Sequence, residues 1–199
     1  MKAKRIAIGL VAAAGMAGAS FALVRAADAP AKKSPTKAEE MECCAMDPKA
    51  SATLDRIKKL EGTWMTAASE GMPAMPITFK PTAGGSAVIE TMFAGTPKEM
   101  INMYTADGDK IVLTHYCALG QQPRMKQSLS DDKSIKFECA PDAAGSGNIK
   151  SRDDGHMDAV ALTVDGDKLT EDWTFYADGK AIDHKVFELH KQPAPQASK

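Results

Sequence analysis

Four tight-turn signatures punctuate residues 62–191: Asp107-Gly108-Asp109-Lys110, Asp131-Asp132-Lys133, Asp165-Gly166-Asp167-Lys168 and Asp178-Gly179-Lys180. Each lies between short segments whose apolar residues alternate. Asp-Gly tolerates the positive φ of a two-residue turn, so this pattern signals a β-hairpin. Successive hairpins make an antiparallel meander, and a long meander without covering helices tends to close on itself to remove its edges. The expected fold is therefore all-β, an up-and-down barrel of about eight to ten strands.

The start of the chain carries a different instruction. Lys2, Lys4 and Arg5 precede an apolar, Ala- and Gly-rich run, and Ala27-Asp28-Ala29 then offers a small-x-small cleavage site, with Val24-Arg25-Ala26 as a second choice. This pattern predicts an export signal over 1–29; an uncleaved anchor is the alternative. Removing Lys2, Lys4, Arg5, Arg25 and Asp28 from 25 basic and 26 acidic residues leaves 21 and 25, a charge of about −4. Nucleic acid needs clustered Lys and Arg to neutralise phosphates, and no such stripe exists here, so it is not an expected partner. The expectation is a periplasmic monomer with no stable membrane insertion after cleavage.

Residues 30–47 read as a disordered linker, since Lys32, Lys33, Pro35, Lys37, Glu39 and Glu40 are polar or helix-averse, and 192–199 read as a disordered tail. The domain spans 48–191. Asp47-Pro48 reads as an N-cap with proline in the first turn, and Leu54, Ile57 and Leu60 fall on one stripe of a short helix ending near Gly62. The period then changes to two. Strands are expected near 63–69, 76–81, 86–93, 98–105, 110–118, 123–130, 134–140, 157–165, 168–177 and 181–190. The glycine-rich stretch 141–155 is the one long loop, a length often used for lids or binding elements.

Leu60-Glu61-Gly62-Thr63-Trp64 places a Gly-x-Trp at the start of the first strand. A second stretch runs His115-Tyr116-Cys117-Ala118-Leu119-Gly120-Gln121-Gln122-Pro123-Arg124-Met125-Lys126. It is flanked by Met103-Tyr104, Gly155-His156-Met157 and Glu171-Asp172-Trp173-Thr174-Phe175. Over about 52–190 the chain resembles an uncharacterised bacterial family of exported, lipocalin-like (calycin-type) barrels. The resemblance implies fold and compartment, with the Trp packed across the barrel's closed end, and no chemistry. It departs at Asp158, where a second histidine is expected, and so does not supply a two-histidine metal site.

Alternation puts Leu169, Glu171, Trp173 and Phe175 on one face of a strand, and Ile111, Leu113, His115 and Cys117 on one face of another. Glu171 and His115 are the polar members of apolar, inward sets. They either converge on an interior pocket and orient a ligand, or are satisfied structural groups, or face water if the register slips by one. Leu113, Trp173, Phe175 and Tyr104 would supply the wall. Arg124, after Pro123, either sits at the mouth and holds an anion or points outward, as its alternation with Met125 and Leu129 suggests.

Four cysteines in an exported chain permit disulfides. Cys117 and Cys139 fall on strands that flank a third, about 9–10 Å apart in mid-sheet, but near one barrel end, where a bridge can close. Met41, Cys43, Cys44 and Met46 offer four soft ligands in six residues for a metal such as copper(I). Haem held by His115 or His156 is a further alternative. No Gly-x-Ser-x-Gly, His-Glu-x-x-His or phosphate-cradling loop occurs. Cys117 and His115 would lie about 6–7 Å apart on one strand, beyond direct contact. The reading is a carrier that binds a small apolar or amphipathic molecule in its interior, without assigned catalytic residues or resident cofactor.

Overall fold

A computed structural model of the protein describes residues 45–193 apart from 69, 70, 72, 140–146 and 152. The export signal, the tail from residue 194, and Met41, Cys43 and Cys44 of the soft-ligand cluster lie outside the described residues. The fourth member, Met46, packs against the hydrophobic core.

Helix α1 (Pro48–Lys58) begins as expected: Asp47 Oδ1 accepts a hydrogen bond from Lys49 N at 2.8 Å. The side chain thereby satisfies one of the orphan donors of the first turn. Ala50, Leu54 and Ile57 bury one stripe of the helix, which packs on strands from the β2–β5 side of the barrel.

Ten antiparallel strands follow: β1 (Gly62–Thr66), β2 (Pro76–Thr82), β3 (Ala87–Met92), β4 (Met100–Asp107), β5 (Lys110–Tyr116), β6 (Arg124–Ser130), β7 (Ser134–Cys139), β8 (His156–Asp165), β9 (Lys168–Ala177) and β10 (Lys180–Lys191). Each pairs with the next, and β1 pairs with β10, so the sheet closes into a barrel. This is the expected all-β meander, and its closure is consistent with a calycin-like fold. Asp178 and Gly179 have φ of 51° and 75°, the double positive-φ step that the β9–β10 sequence signals. Strand β5 stops at Tyr116, two residues early. Cys117 N turns to Gln121 O, and Gly120 N returns to Cys117 O, so the chain leaves the ladder there.

The core fills the barrel. Trp64, Phe79, Tyr104, Phe137 and Trp173 are each at most 2 % exposed. Trp64 seals the end beneath α1: its Nε1 donates to Leu60 O at 2.8 Å, and Lys191 Nζ lies 5.3 Å from its ring centroid. This end also carries the β6–β7 and β8–β9 turns. The opposite end carries the β5–β6 and β7–β8 connections. There Gln122 N donates to Gly147 O at 2.7 Å, joining the two loops.

Candidate functional site

The strand register builds a polar row through this apolar interior. Glu90 on β3 stands opposite Asn102 on β4, which stands opposite His115 on β5. All three are buried. Tyr104, two residues along from Asn102 and so on the same face, donates its hydroxyl to Glu90 Oε2 at 2.6 Å. From β9, Glu171 accepts from Trp173 Nε1 at 3.1 Å, while Oε1 of Glu171 and Oε1 of Glu90 make no hydrogen bond among the described residues. His115 also meets β9, its ring centroid 4.9 Å from that of Trp173.

Removal from water dominates the electrostatics of this group. Burial pushes the Glu90 carboxyl up to about 7, against partial relief from the Tyr104 and Asn102 hydrogen bonds. Burial raises Glu171 well above the usual carboxylate range, and the Glu90 charge raises it further. Two carboxyls buried in one site cannot both ionise cheaply, so the pair holds a proton at neutral pH. Burial lowers His115 to about 4, leaving a neutral imidazole. Its Nδ1 lies 2.6 Å from Asn102 Oδ1. Because that oxygen can only accept, Nδ1 carries the hydrogen and Nε2 keeps its lone pair. Nε2 makes no hydrogen bond among the described residues.

The structure thus brings His115, Glu171, Trp173 and Tyr104 together, with Leu113 beside Tyr104 in the ladder. Their side chains are at most 1 % exposed, so this part of the interior is packed by the protein's own side chains rather than open to water. A macrocycle on His115 Nε2 would have to displace them. Phe175, half-buried, packs against Gly155. Arg124 stands apart: it is exposed and pairs with Asp107 at 3.5 Å across the β4–β5–β6 surface. No disulfide joins Cys117 to Cys139. Cys117 lies just past β5 in the β5–β6 connection, and Cys139 stands on β7 opposite Met125 on β6.

Glu90 and Asn102 escaped the sequence reading. The signal was the one that flagged Glu171, a polar residue within an alternating apolar set: Val88-x-Glu90-x-Met92 and Asn102-x-Tyr104.

A second site lies at the helix-capped end. A pocket of about 340 Å³ opens between α1 and the β6–β7 and β8–β9 turns. Leu60, Trp64, Ile135, Leu162 and Val164 form its apolar floor. Arg56, Lys59 and Lys191 stand around it, with Asp132 and Asp167 as the acidic members.

Fold and site together describe a closed ten-stranded antiparallel barrel, consistent with a calycin-like fold, with a buried polar row and a small end pocket. Protein-family models give no match to the chain, and none of the curated proteins matches it in sequence.

Proposed function

We propose that this protein is an exported barrel that binds a small amphipathic anion, such as a medium-chain carboxylate, at its helix-capped end. The observation that carries the reading is the pocket there, which combines an apolar floor with three cations and falls at the lower end of the size range of small-molecule clefts. The apolar body would lie on Trp64 and Leu162, and the anionic head between Arg56 and Lys191. The interior polar row is the weaker candidate, because a ligand oriented by His115 and Glu171 must first part the side chains that cover them. Export is supported by the basic start, apolar run and Ala27-Asp28-Ala29 of the first 29 residues. Among the described residues no helix is long and apolar enough to cross a membrane.

Titration with decanoate, followed by the fluorescence of Trp64 in a Trp173→Phe background, tests the site. Saturable binding is expected, weakened about tenfold by Lys191→Glu and by added salt, since one lost charge contact is worth roughly 1.4 kcal/mol. Binding that survives both Lys191→Glu and Leu162→Arg would move the ligand elsewhere. Mass spectrometry of the mature N-terminus tests export; an intact residue 1 in protein from the periplasmic fraction would overturn cleavage.

A further inference from the structure

At the barrel end away from α1, three side chains from two strands converge. Cys139 is the last residue of β7, and His156 and Asp158 open β8. One donor atom from each lies within 4.8 Å of the other two. Cys139 and His156 are buried, and Asp158 is largely so.

Local backbone structure makes this meeting possible. The β8–β9 register shifts between Met157 and Ala159, so Asp158 is the extra residue of a bulge. Met157 stands opposite Phe175 and His156 opposite Tyr176. Strict alternation would give His156 and Asp158 the same face as Val160; the bulge instead re-aims the start of the strand. Bulges of this kind are common beside functional sites.

The hydrogen bonding at His156 sets its chemistry. Its Nδ1 lies 2.5 Å from the backbone oxygen of Asp154. A carbonyl only accepts, so Nδ1 carries the hydrogen, and in the neutral ring Nε2 presents a lone pair. Nε2 lies 3.4 Å from Asp158 Oδ1. His156 Nε2 and the Asp158 carboxylate can therefore share a cation, a proton on the ring or a metal ion. A ring nitrogen oriented by a carbonyl on its far side is the usual arrangement of a metal-bound histidine.

We propose that Cys139 Sγ, His156 Nε2 and Asp158 Oδ1 bind a divalent transition metal, zinc above all. Thiolate, imidazole and carboxylate are its three protein ligand types. With Zn–S of about 2.3 Å and Zn–N and Zn–O of about 2.0–2.2 Å, tetrahedral donors stand roughly 3.5 Å apart. The observed cluster reaches that by drawing in by about 1 Å. The thiol loses its proton to solvent on binding, and three protein ligands leave a fourth position for water or an exogenous group. A surface groove of about 460 Å³ includes Cys139 and Asp158, with Lys136, Glu138, Asp172 and His184 along it. This site is independent of the pocket under α1.

The test uses the mature chain with Cys43→Ser and Cys44→Ser, stripped of metal by chelator. Zinc should bind one to one in competition with a chromophoric chelator. Cobalt(II) in its place should show a thiolate-to-cobalt charge-transfer band and the d–d intensity of a four-coordinate ion. Cys139→Ser should abolish the charge-transfer band, and Asp158→Asn should weaken zinc at least tenfold while circular dichroism stays that of a folded barrel. His156→Ala should do the same; should it fail to fold, the cobalt spectrum and the other two variants still decide. No stoichiometric zinc, a cobalt spectrum without thiolate character, or full zinc affinity in Cys139→Ser would each overturn the site. Metal bound only when Cys43 and Cys44 are present would assign it to the N-terminal cluster instead.

Discussion

Glu90 and Glu171 reach from separate walls of the barrel, β3 and β9, into one buried site, where the charge of Glu90 raises the Glu171 carboxyl further. Travelling round the closed sheet, the two strands are four steps apart one way and six the other. Burying both carboxyls in one site keeps a proton on the pair. Together with the His115–Trp173 ring contact, this burial means that the barrel's middle is filled by the residues that line it.

The carboxyl pair makes the fold less stable in base. Glu90 is raised from 4.5 to about 7, so the unfolded chain releases this proton first as pH rises. The stabilisation is complete below about 4.5 and is lost as pH climbs through 7. Urea unfolding should show a fall of about 2–3 kcal/mol between pH 5 and 8 from this residue. Glu90→Gln, which cannot ionise, should flatten that limb. An unchanged slope would place the titrating group elsewhere.

His115 acts in the opposite direction at acid pH. Its folded value is lowered to about 4 from 6.5, so the unfolded chain takes up the proton first as pH falls. Stability from the neutral ring is complete above about 6.5 and lost through 4. Over roughly pH 4.5–6.5 the two trends oppose each other, and stability should peak in that window. Nitrogen-detected NMR should find His115 protonated on Nδ1 alone at pH 6; a proton on Nε2 would contradict the Asn102 contact.

Trp64 closes the capped end through its hydrogen bond to Leu60 O. Trp64→Phe removes that bond and part of a buried ring and should cost about 2 kcal/mol in unfolding free energy. Trp64→Ala should cost about 3–5 kcal/mol. Losses below ~1 kcal/mol would show that the end is sealed by α1 alone.

Gly147 joins the β7–β8 loop to the β5–β6 loop. It has φ of 54°, and a Cβ there would lie 2.0 Å from Gln122 O. Gly147→Ala therefore pushes the loops apart, with an expected loss of about 1–3 kcal/mol. Faster amide exchange at Gln122, whose N–H donates to Gly147 O, is the specific readout. Equal exchange in both proteins would deny the contact.

What the chain determined by itself is the local part of this structure. Asp47-Pro48 capped a helix, Asp-Gly pairs made turns, and period-two segments became strands, because each depends on the dihedral preferences and side chains of a few neighbours. Glu171 and His115 were legible as polar residues in apolar sets for the same reason. Where those sets led was decided only by closure. Ring order brought β3 and β9 together, and the summed volume of Trp173, Tyr104, Phe137 and their neighbours filled the space between. Alternation carries no record of either quantity. Nor does it record the bulge at Asp158, since His156, Asp158 and Val160 keep an unbroken period of two while the backbone steps out of it. The grouping of Cys139, His156 and Asp158 is therefore a product of tertiary pairing between β7, β8 and β9.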